Sequence, residues 1–255
     1  MTDQNFRPYR KKMIHYHGTP IGGSRQDTAR FLVGRHALIP FGRQDDIAPV
    51  LEYCQSFCLD NGAFSHWKKG KGRIDFDAYH KWVHVLHKHP CFDWALIPDI
   101  IDGTEDDNLK WVLKWIRIGG RGKGVPVWHL HESLEYLEWL IDNFDTVAFG
   151  SSGTWKTPGT KAWWKRMEEA MGVACYQDGR PKTKLHGLRM LNPKVFTKLP
   201  FTSADSTNAA VNAGSLSRFG MYKPVTSSQR AAVIADRIEQ YNSSPNYQFA
   251  HLDYA

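Results

Sequence analysis

The stretch that decides the fold is residues 94–130, WALIPDIIDGTEDDNLKWVLKWIRIGGRGKGVPVWHL. It holds two short apolar runs, Trp94 to Pro98 and Val125 to Leu130, on either side of a segment with helical apolar spacing from about Thr104 to Ile118. Acidic residues directly after Thr104 are a helix start signal, because carboxylates complement the positive end of the helix dipole. A strand, a helix and a second strand in this order are typical of a parallel sheet.

The same alternation extends over most of the chain. The other predicted strands are Ile14 to His17, Phe31 to Gly34, Ser56 to Asp60, Thr146 to Gly150, Lys184 to Leu188 and Phe201 to Asp205, and the other predicted helices cover about residues 75–87, 133–143, 161–171 and 227–241. Eight strands are what a closed (β/α)8 barrel of the TIM type needs. An open doubly wound α/β sheet has the same alternation, but neither a GxGxxG nor a Walker A motif follows the first strand.

Length and composition favour one domain. A chain of 255 residues suits a single α/β barrel. We therefore predict one domain over residues 1–255, with a basic N-terminal segment at residues 1–12 and a mobile active-site loop at residues 207–224. The four cysteines match neither a zinc motif nor a disulfide framework, which indicates reduced thiols and a cytoplasmic location. No signal-peptide pattern and no run of 18 apolar residues occurs, so no membrane association is expected.

The charge of the chain favours a polyanionic partner. Lys and Arg number 33 against 26 Asp and Glu, which gives +7. A basic protein without such a partner has the same net charge, but the basic residues cluster at the N-terminus and in a glycine-rich loop after the third predicted strand. The expected nucleic-acid-binding residues are Lys68, Lys69, Lys71, Arg73 and Arg218.

The residues directly after the strands form the site of a barrel. Three predicted strands lead into aspartates, Asp60, Asp99 and Asp205. One such aspartate more often caps a turn or a helix, but three at one end of a barrel favour catalysis, since neighbouring carboxylates split into a nucleophile and a proton carrier in glycosyl transfer. A glycine-rich turn at residues 150–153 offers backbone N–H groups to a carbonyl or phosphate oxygen.

Histidines on two predicted strands raise the question of a metal site. His129 and His131 lie on one face of the fifth strand, but no third ligand at a matching spacing accompanies them. For His15 and His17 on the first strand, a structural role is favoured over metal binding or base stacking. Neither a metal nor another cofactor is therefore expected.

The ordered strand-end motifs resemble those of the tRNA-guanine transglycosylase superfamily, and within it the phage-type, DpdA-like 7-deazaguanine DNA transglycosylases. The motifs are Cys58-Leu59-Asp60-Asn61-Gly62-Ala63-Phe64, Ile97-Pro98-Asp99, Phe149-Gly150-Ser151-Ser152-Gly153, Leu185-His186-Gly187-Leu188 and Ser203-Ala204-Asp205-Ser206. The resemblance implies a pentosyltransferase that exchanges guanine in DNA, at a flipped or single-stranded site, for a 7-deazaguanine base such as preQ0.

The resemblance also implies the roles of individual residues. Asp205 is the nucleophile, Asp60 moves a proton at the reacting base or ribose, and Asp99 reads the polar edge of the base, with Asp102 as its alternative. The other implied substrate-binding residues are Asn61, Gly62, Phe64, His129, Gly150, Ser151, Ser152, Gly153, His186 and Gly187.

The sequence departs from the family in two places. His129 and His131 stand where a Gln-Gly-Gly stretch is usual. The zinc-binding cluster that follows the nucleophile strand has no counterpart, because the last cysteine, Cys175, precedes Asp205. The zinc subdomain of the tRNA enzymes is therefore expected to be absent, which favours DNA over tRNA as the substrate.

Three alternatives to the DNA enzyme stay open. The substrate is tRNA in a tRNA-guanine transglycosylase, and water accepts the glycosyl group in a nucleoside or N-glycosyl hydrolase that uses the same carboxylates. In a barrel that only binds nucleic acid, the three aspartates are structural. The sequence leaves open whether an accessory protein or a homodimer is involved, and a phage-encoded chain acts in the host cytoplasm.

Overall fold

The computed structural model describes residues 12–19, 25–68, 70, 75–119, 123–221 and 223–249. The predicted nucleic-acid-binding residues Lys69, Lys71 and Arg73 lie outside the described residues, as do the side chain of Arg218 and all but the last residue of the basic N-terminal segment.

Nine parallel strands form one sheet. They are β1 (Ile14–Gly18), β2 (His36–Pro40), β3 (Ser56–Asp60), β4 (Phe92–Leu96), β5 (Gly124–Val125), β6 (Val127–His129), β7 (Thr146–Gly150), β8 (Lys184–Gly187) and β9 (Ser203–Ser206). Their order is β5-β4-β3-β2-β1-β9-β8-β7-β6, and all pairings are parallel. Only Pro126 separates β5 from β6, the two ends of this order, so the sheet curves into a nearly closed barrel.

Helices connect the strands and make this an α/β fold. They are α1 (Arg25–Ala29), α2 (Ile47–Tyr53), α3 (Ala63–Lys68), α4 (Phe76–Leu86), α5 (Glu105–Arg117), α6 (Leu134–Asn143), α7 (Lys161–Ala174), α8 (Pro193–Phe196), α9 (Asn208–Asn212) and α10 (Ser227–Glu239). The Thr104 side chain accepts a hydrogen bond from the N–H of Asp107, as the start signal predicts. Within the described part of the chain, no helix is long and apolar enough to span a bilayer.

One predicted strand is wrong. Phe31 and Leu32 lie in a 3₁₀ turn that follows α1, and the second strand is His36–Pro40. Both stretches are short and apolar, so periodicity alone does not separate them. Gly34 has φ +71 and turns the chain between them, a conformation that favours glycine.

The core has an outer and an inner part. The larger part lies between strands and helices, where Phe57, Trp128 and Trp163 are fully buried. Along β1, alternate side chains point to opposite faces: His15 meets Phe196 of α8, whereas Tyr16 packs inside the barrel against Trp94. Because all strands are parallel, their carboxyl ends meet at one rim.

Candidate active site

A pocket opens at this rim. The space between its walls is about 670 Å³ when the solvent at its open mouth is counted. Its lining residues are Asp60, Asn61, Ala63, Phe64, Leu96, Asp99, Ile101, His129, Gly150, Ser151, Lys156, Pro158, Leu188, Arg189 and Asp205.

The three strand-end aspartates all line this pocket. Asp60 ends β3, Asp99 follows β4, and Asp205 lies on β9, so residues far apart in the sequence converge there. Five other residues named from the sequence also line it, namely Asn61, Phe64, His129, Gly150 and Ser151.

Asp205 is a buried carboxylate fixed by the chain that follows β8. Its Oδ1 accepts a hydrogen bond from the main-chain N–H of Arg189 at 2.8 Å, and its carbonyl accepts one from the N–H of Leu191 at 3.0 Å. Among the described residues, no hydrogen-bond donor is found for Oδ2. The carboxyl group is thus oriented through Oδ1, while no described residue occupies Oδ2 with a hydrogen bond.

Asp60 is held in a tight turn. Its Oδ1 accepts a hydrogen bond from the N–H of Gly62 at 2.9 Å, and Gly62 has φ +78, which favours glycine. Burial raises the pKa of Asp60 to about 7; the charges of Asp205 and Asp99 add to this, while Gly62 and the charge of Arg189 oppose it. A carboxyl group with this pKa exchanges protons near neutral pH.

Asp99 is positioned by two side chains. Its Oδ1 accepts a hydrogen bond from Nδ2 of Asn61 at 2.6 Å, and its Oδ2 lies 2.9 Å from Nε2 of His129. Asn61 in turn accepts a hydrogen bond from the N–H of Ala63 at 2.8 Å, so the same side chain also starts α3. Asp99, Asn61 and His129 therefore form one hydrogen-bonded wall of the pocket.

A second buried layer supports that wall. Oε2 of Glu132 accepts a hydrogen bond from the N–H of His129 at 2.7 Å, and Oε1 accepts one from Nδ2 of Asn108 at 2.7 Å. Burial opposes protonation of His129, but the hydrogen bond and charge of Asp99, with the charge of Glu132, outweigh it and raise the pKa of His129. Burial raises the pKa of Glu132 as well. Sequence reasoning missed Glu132 and Asn108, because neither directly follows a predicted strand.

Two cations in the pocket wall were also missed. Lys156 and Arg189 line the pocket and are both exposed. Arg189 is the only non-glycine residue with positive φ (+58) among those described, and its guanidinium carbon lies 3.8 Å from the centre of the Phe64 ring. A signal existed for Arg189, because it directly follows the predicted strand that ends at Leu188.

Several residues named from the sequence do not line the pocket. His186 is fully buried beneath it, with Nε2 at 3.4 Å from Oδ1 of Asp205 and Nδ1 bonded to Ser203 Oγ at 2.8 Å. A Cβ on Gly187 would meet the Phe201 ring at 2.6 Å, so Gly187 serves packing. The others outside the lining are Gly62, Ser152, Gly153 and the alternative Asp102.

His131 does not join His129 in a shared site. Its Nδ1 bonds to Ser152 Oγ at 2.7 Å and its Nε2 to the carbonyl of Gly103 at 3.1 Å. Over the described residues, no group of three or more His, Cys, Asp or Glu side chains is arranged to hold a metal ion.

The predicted mobile loop at residues 207–224 contains α9 and a 3₁₀ turn, Leu216–Phe219. None of its described residues lines the pocket. Of the predicted nucleic-acid-binding residues, Lys68 is exposed at the end of α3, the helix that contributes Phe64 to the pocket.

A scan against models of known protein families finds no match, and a search of curated proteins finds no similar sequence. The pocket and its side chains are therefore the basis for inferring function.

Proposed function

We propose that this protein is a transglycosylase that exchanges guanine in DNA for a 7-deazaguanine base such as preQ0, through a covalent intermediate on Asp205. One observation carries the proposal: two carboxyl groups in different surroundings share the pocket. Asp205 is oriented by a main-chain N–H at Oδ1, and no donor to Oδ2 is found among the described residues, whereas the pKa of Asp60 is raised to about 7. A fixed nucleophile beside a group that carries protons near neutral pH suits two-step glycosyl transfer.

The barrel of such an enzyme has eight strands, and we infer that β5 and β6 are one strand interrupted at Pro126. Proline has no N–H to donate, so it breaks a ladder locally. The carbonyl of Val125 accepts a hydrogen bond from Ile97 at 2.8 Å on the β4 side, and the carbonyl of Pro126 accepts one from Ala148 of β7 at 2.9 Å. Hydrogen bonds on both sides of this short stretch support a closed (β/α)8 barrel.

The wall around Asp99 suits the edge of a guanine. Guanine and 7-deazaguanine bases present N–H donors on the Watson–Crick edge, and a flipped base is read by hydrogen bonds to that edge. Each carboxylate oxygen has two lone pairs, so Asp99 accepts from Asn61 and His129 and keeps capacity for two more donors. In this proposal Asp99 therefore accepts hydrogen bonds from the base, and the turn at Gly150 and Ser151 lies against the base.

The reaction proceeds in two displacements. Asp205 attacks C1′ of the deoxyguanosine, the bond from C1′ to N9 breaks, and the proton of Asp60 passes to the leaving guanine. The incoming base then gives its N9 proton to Asp60 while its N9 forms the new bond to C1′ and releases the Asp205 carboxylate. Protons and bonds balance over the cycle, and the target nucleotide must leave the base stack to react.

The proposal is tested by incubating the purified protein with single-stranded and duplex DNA and labelled preQ0, then digesting the DNA to nucleosides for mass spectrometry. The modified deoxynucleoside is expected with the wild type, and not with Asp205→Ala or with Asp205→Asn, which keeps the side-chain shape. Asp102→Asn is the matched control, because Asp102 is an exposed residue near the same rim but outside the pocket lining, and it is expected to retain activity.

Other outcomes contradict the proposal and identify a rival. An abasic product indicates a hydrolase, incorporation only into tRNA indicates a tRNA-guanine transglycosylase, and DNA binding without chemistry indicates a binding barrel. Omission of the incoming base gives a second test: a DNA adduct that survives denaturation is expected with the wild type and not with Asp205→Asn.

A further inference from the structure

A row of rings and charge runs outward from the pocket. The guanidinium of Arg189 stacks on Phe64, which lines the pocket, and the rings of Phe64 and Trp67 are 5.8 Å apart. Phe64 and Trp67 are three residues apart on α3 and so lie on one side of it. Trp67 is outside the pocket lining and 46% exposed.

Cations accompany this row. Lys68, which follows Trp67 in the sequence, is exposed, and Arg189 and Lys156 line the same pocket as Phe64. The pocket itself contains three aspartates, and the described cations Arg189, Lys156 and Lys68 lie on its wall and near its rim. Aromatic rings interleaved with cations are the pattern that binds single-stranded nucleic acid, because rings stack on bases while cations contact phosphates.

We propose that Arg189, Phe64 and Trp67 form a strand track, which holds the nucleotides next to the reacting one in a single strand. The inference rests on the proposed function in placing the reacting nucleotide in the pocket. Trp67 is outside the pocket lining, so a free nucleoside in the pocket does not need its ring, and paired bases in a duplex have no free face for that ring. The track therefore selects an unpaired strand over both.

The test is binding of a fluorescein-labelled single strand of about 12 nucleotides with a central guanine, measured by fluorescence anisotropy in the Asp205→Asn background without incoming base. Trp67→Ala is expected to raise Kd about 5- to 150-fold, as the loss of one stacked base does, and Trp67→Phe to restore most of the affinity. Tyr176→Ala is the matched control and stays within twofold: Tyr176 is 51% exposed and stacks with Arg180 at 5.6 Å, but it is outside the pocket lining.

Salt dependence separates the two kinds of contact. Arg189→Asn removes the charge and keeps the main-chain N–H to Asp205, and asparagine tolerates a positive φ. It is expected to reduce the slope of log Kd against log salt by about 0.7, one phosphate contact on a single strand. Trp67→Ala is expected to change Kd and leave that slope unchanged.

Two results contradict the track. The first is a Kd of Trp67→Ala for the single strand within twofold of that of its parent. The second is that Trp67→Ala loses as much affinity for a duplex of the same length, or for deoxyguanosine monophosphate, as for the single strand. Melting temperatures of the variants verify folding, and Trp67→Phe keeps the test decisive if the alanine variant is unstable. The binding measurement involves no base exchange, so the two proposals can fail separately. If Trp67 contributes to binding but the wild type shows no exchange, the proposed function is contradicted and the track is not. If Trp67→Ala exchanges the base with an unchanged KM for DNA, the track is contradicted and the proposed function is not.

Discussion

Asp60 and Asp205 are the same residue type at the same rim, and what differs is the surroundings of their carboxyl groups. The sequence predicted both as site residues because each ends an apolar run. The family resemblance implied that Asp60 moves a proton, but the sequence did not predict a pKa near 7 for it, because that value depends on burial and on charges brought close by folding. Arg189 is an example: its main chain orients Asp205 and its charge acts on Asp60.

The pH dependence of the first chemical step follows from Asp60. In the proposed mechanism that step uses the protonated form, and burial raises the pKa of Asp60 to about 7. Formation of the DNA adduct is expected to be independent of pH below the pKa and to fall about tenfold per pH unit above it. Single-turnover adduct formation, followed on denaturing gels across pH, measures this.

Asp60→Asn is the control for this assignment. It has no proton to give and is expected to slow the step at least about 100-fold and to remove the fall at high pH. The same pH profile in wild type and variant would assign the titration to another group.

Gly150 is a residue where a single methyl group disturbs the site. A Cβ there would lie 2.9 Å from Nδ1 of His129 and 3.2 Å from Val127 Cγ1, so the His129 ring, which also contacts Asp99, must shift. Gly150→Ala is expected to lower the free energy of unfolding by about 1–3 kcal/mol and to weaken guanine binding. Urea unfolding and calorimetric titration with guanine measure the two effects.

Gly172 provides the matched glycine. It lies in α7, and among the described residues outside the backbone of that helix no atom lies within 4 Å of an added Cβ, so Gly172→Ala is expected to raise the free energy of unfolding by about 0.5–1 kcal/mol. Equal effects at the two glycines would show that the pocket side of Gly150 has room.

Among the elements, helices with clear start signals were predicted to within a few residues. Thr104 and Ser133 both accept the main-chain hydrogen bond that a helix start requires. The second strand was missed because two short apolar runs flank Gly34, and the local sequence does not show which of them is the strand. The run after Gly34 is the strand because it pairs with β1 and β3, and these pairings involve residues distant in the sequence.

The contact between β1 and α10 gives a prediction at the same scale. Oε1 of Glu239 lies 2.7 Å from Nε2 of His17 and accepts a hydrogen bond from Nε of Arg35 at 3.0 Å. Burial alone would raise the pKa of Glu239, but His17 and Arg35 outweigh it and lower the pKa to about 2, against 4.5 for a free side chain. Stability from this group is therefore full above pH 4.5 and is lost as the pH falls towards 2.

Glu239→Gln is expected to lower the free energy of unfolding at pH 7 by about 1–3 kcal/mol, and this difference should vanish near pH 2. Asp236→Asn is the control: Asp236 also pairs with Arg35 but is 64% exposed, so its loss should change stability by less than about 1 kcal/mol. A deficit of Glu239→Gln that persists at pH 2 would contradict the ionic origin of the effect.

For the whole molecule, the alternation of strands and helices was sufficient to predict an all-parallel α/β architecture. The shared pocket of Asp60, Asp99 and Asp205 followed from it, since parallel strands place their carboxyl ends together. Arg189 directly follows a predicted strand and was overlooked, whereas Lys156, Glu132 and Asn108 were not predictable in this way. Lys156 and Glu132 come from connecting segments whose path depends on packing, and Asn108 lies in α5, where periodicity does not show which distant group it contacts.

The strand that carries Asp205 comes last in chain order among the nine described strands. β9 pairs with β1, with Asp205 opposite Tyr16, so the first and last of these described strands lie side by side. Contacts this distant in sequence form late, and a nascent chain on the ribosome lacks them until residue 206 has emerged. Under the proposed mechanism, a chain interrupted earlier has an open sheet edge and no nucleophile. Under that mechanism the step that adds β9 to the sheet is also the step that places the nucleophile in the pocket.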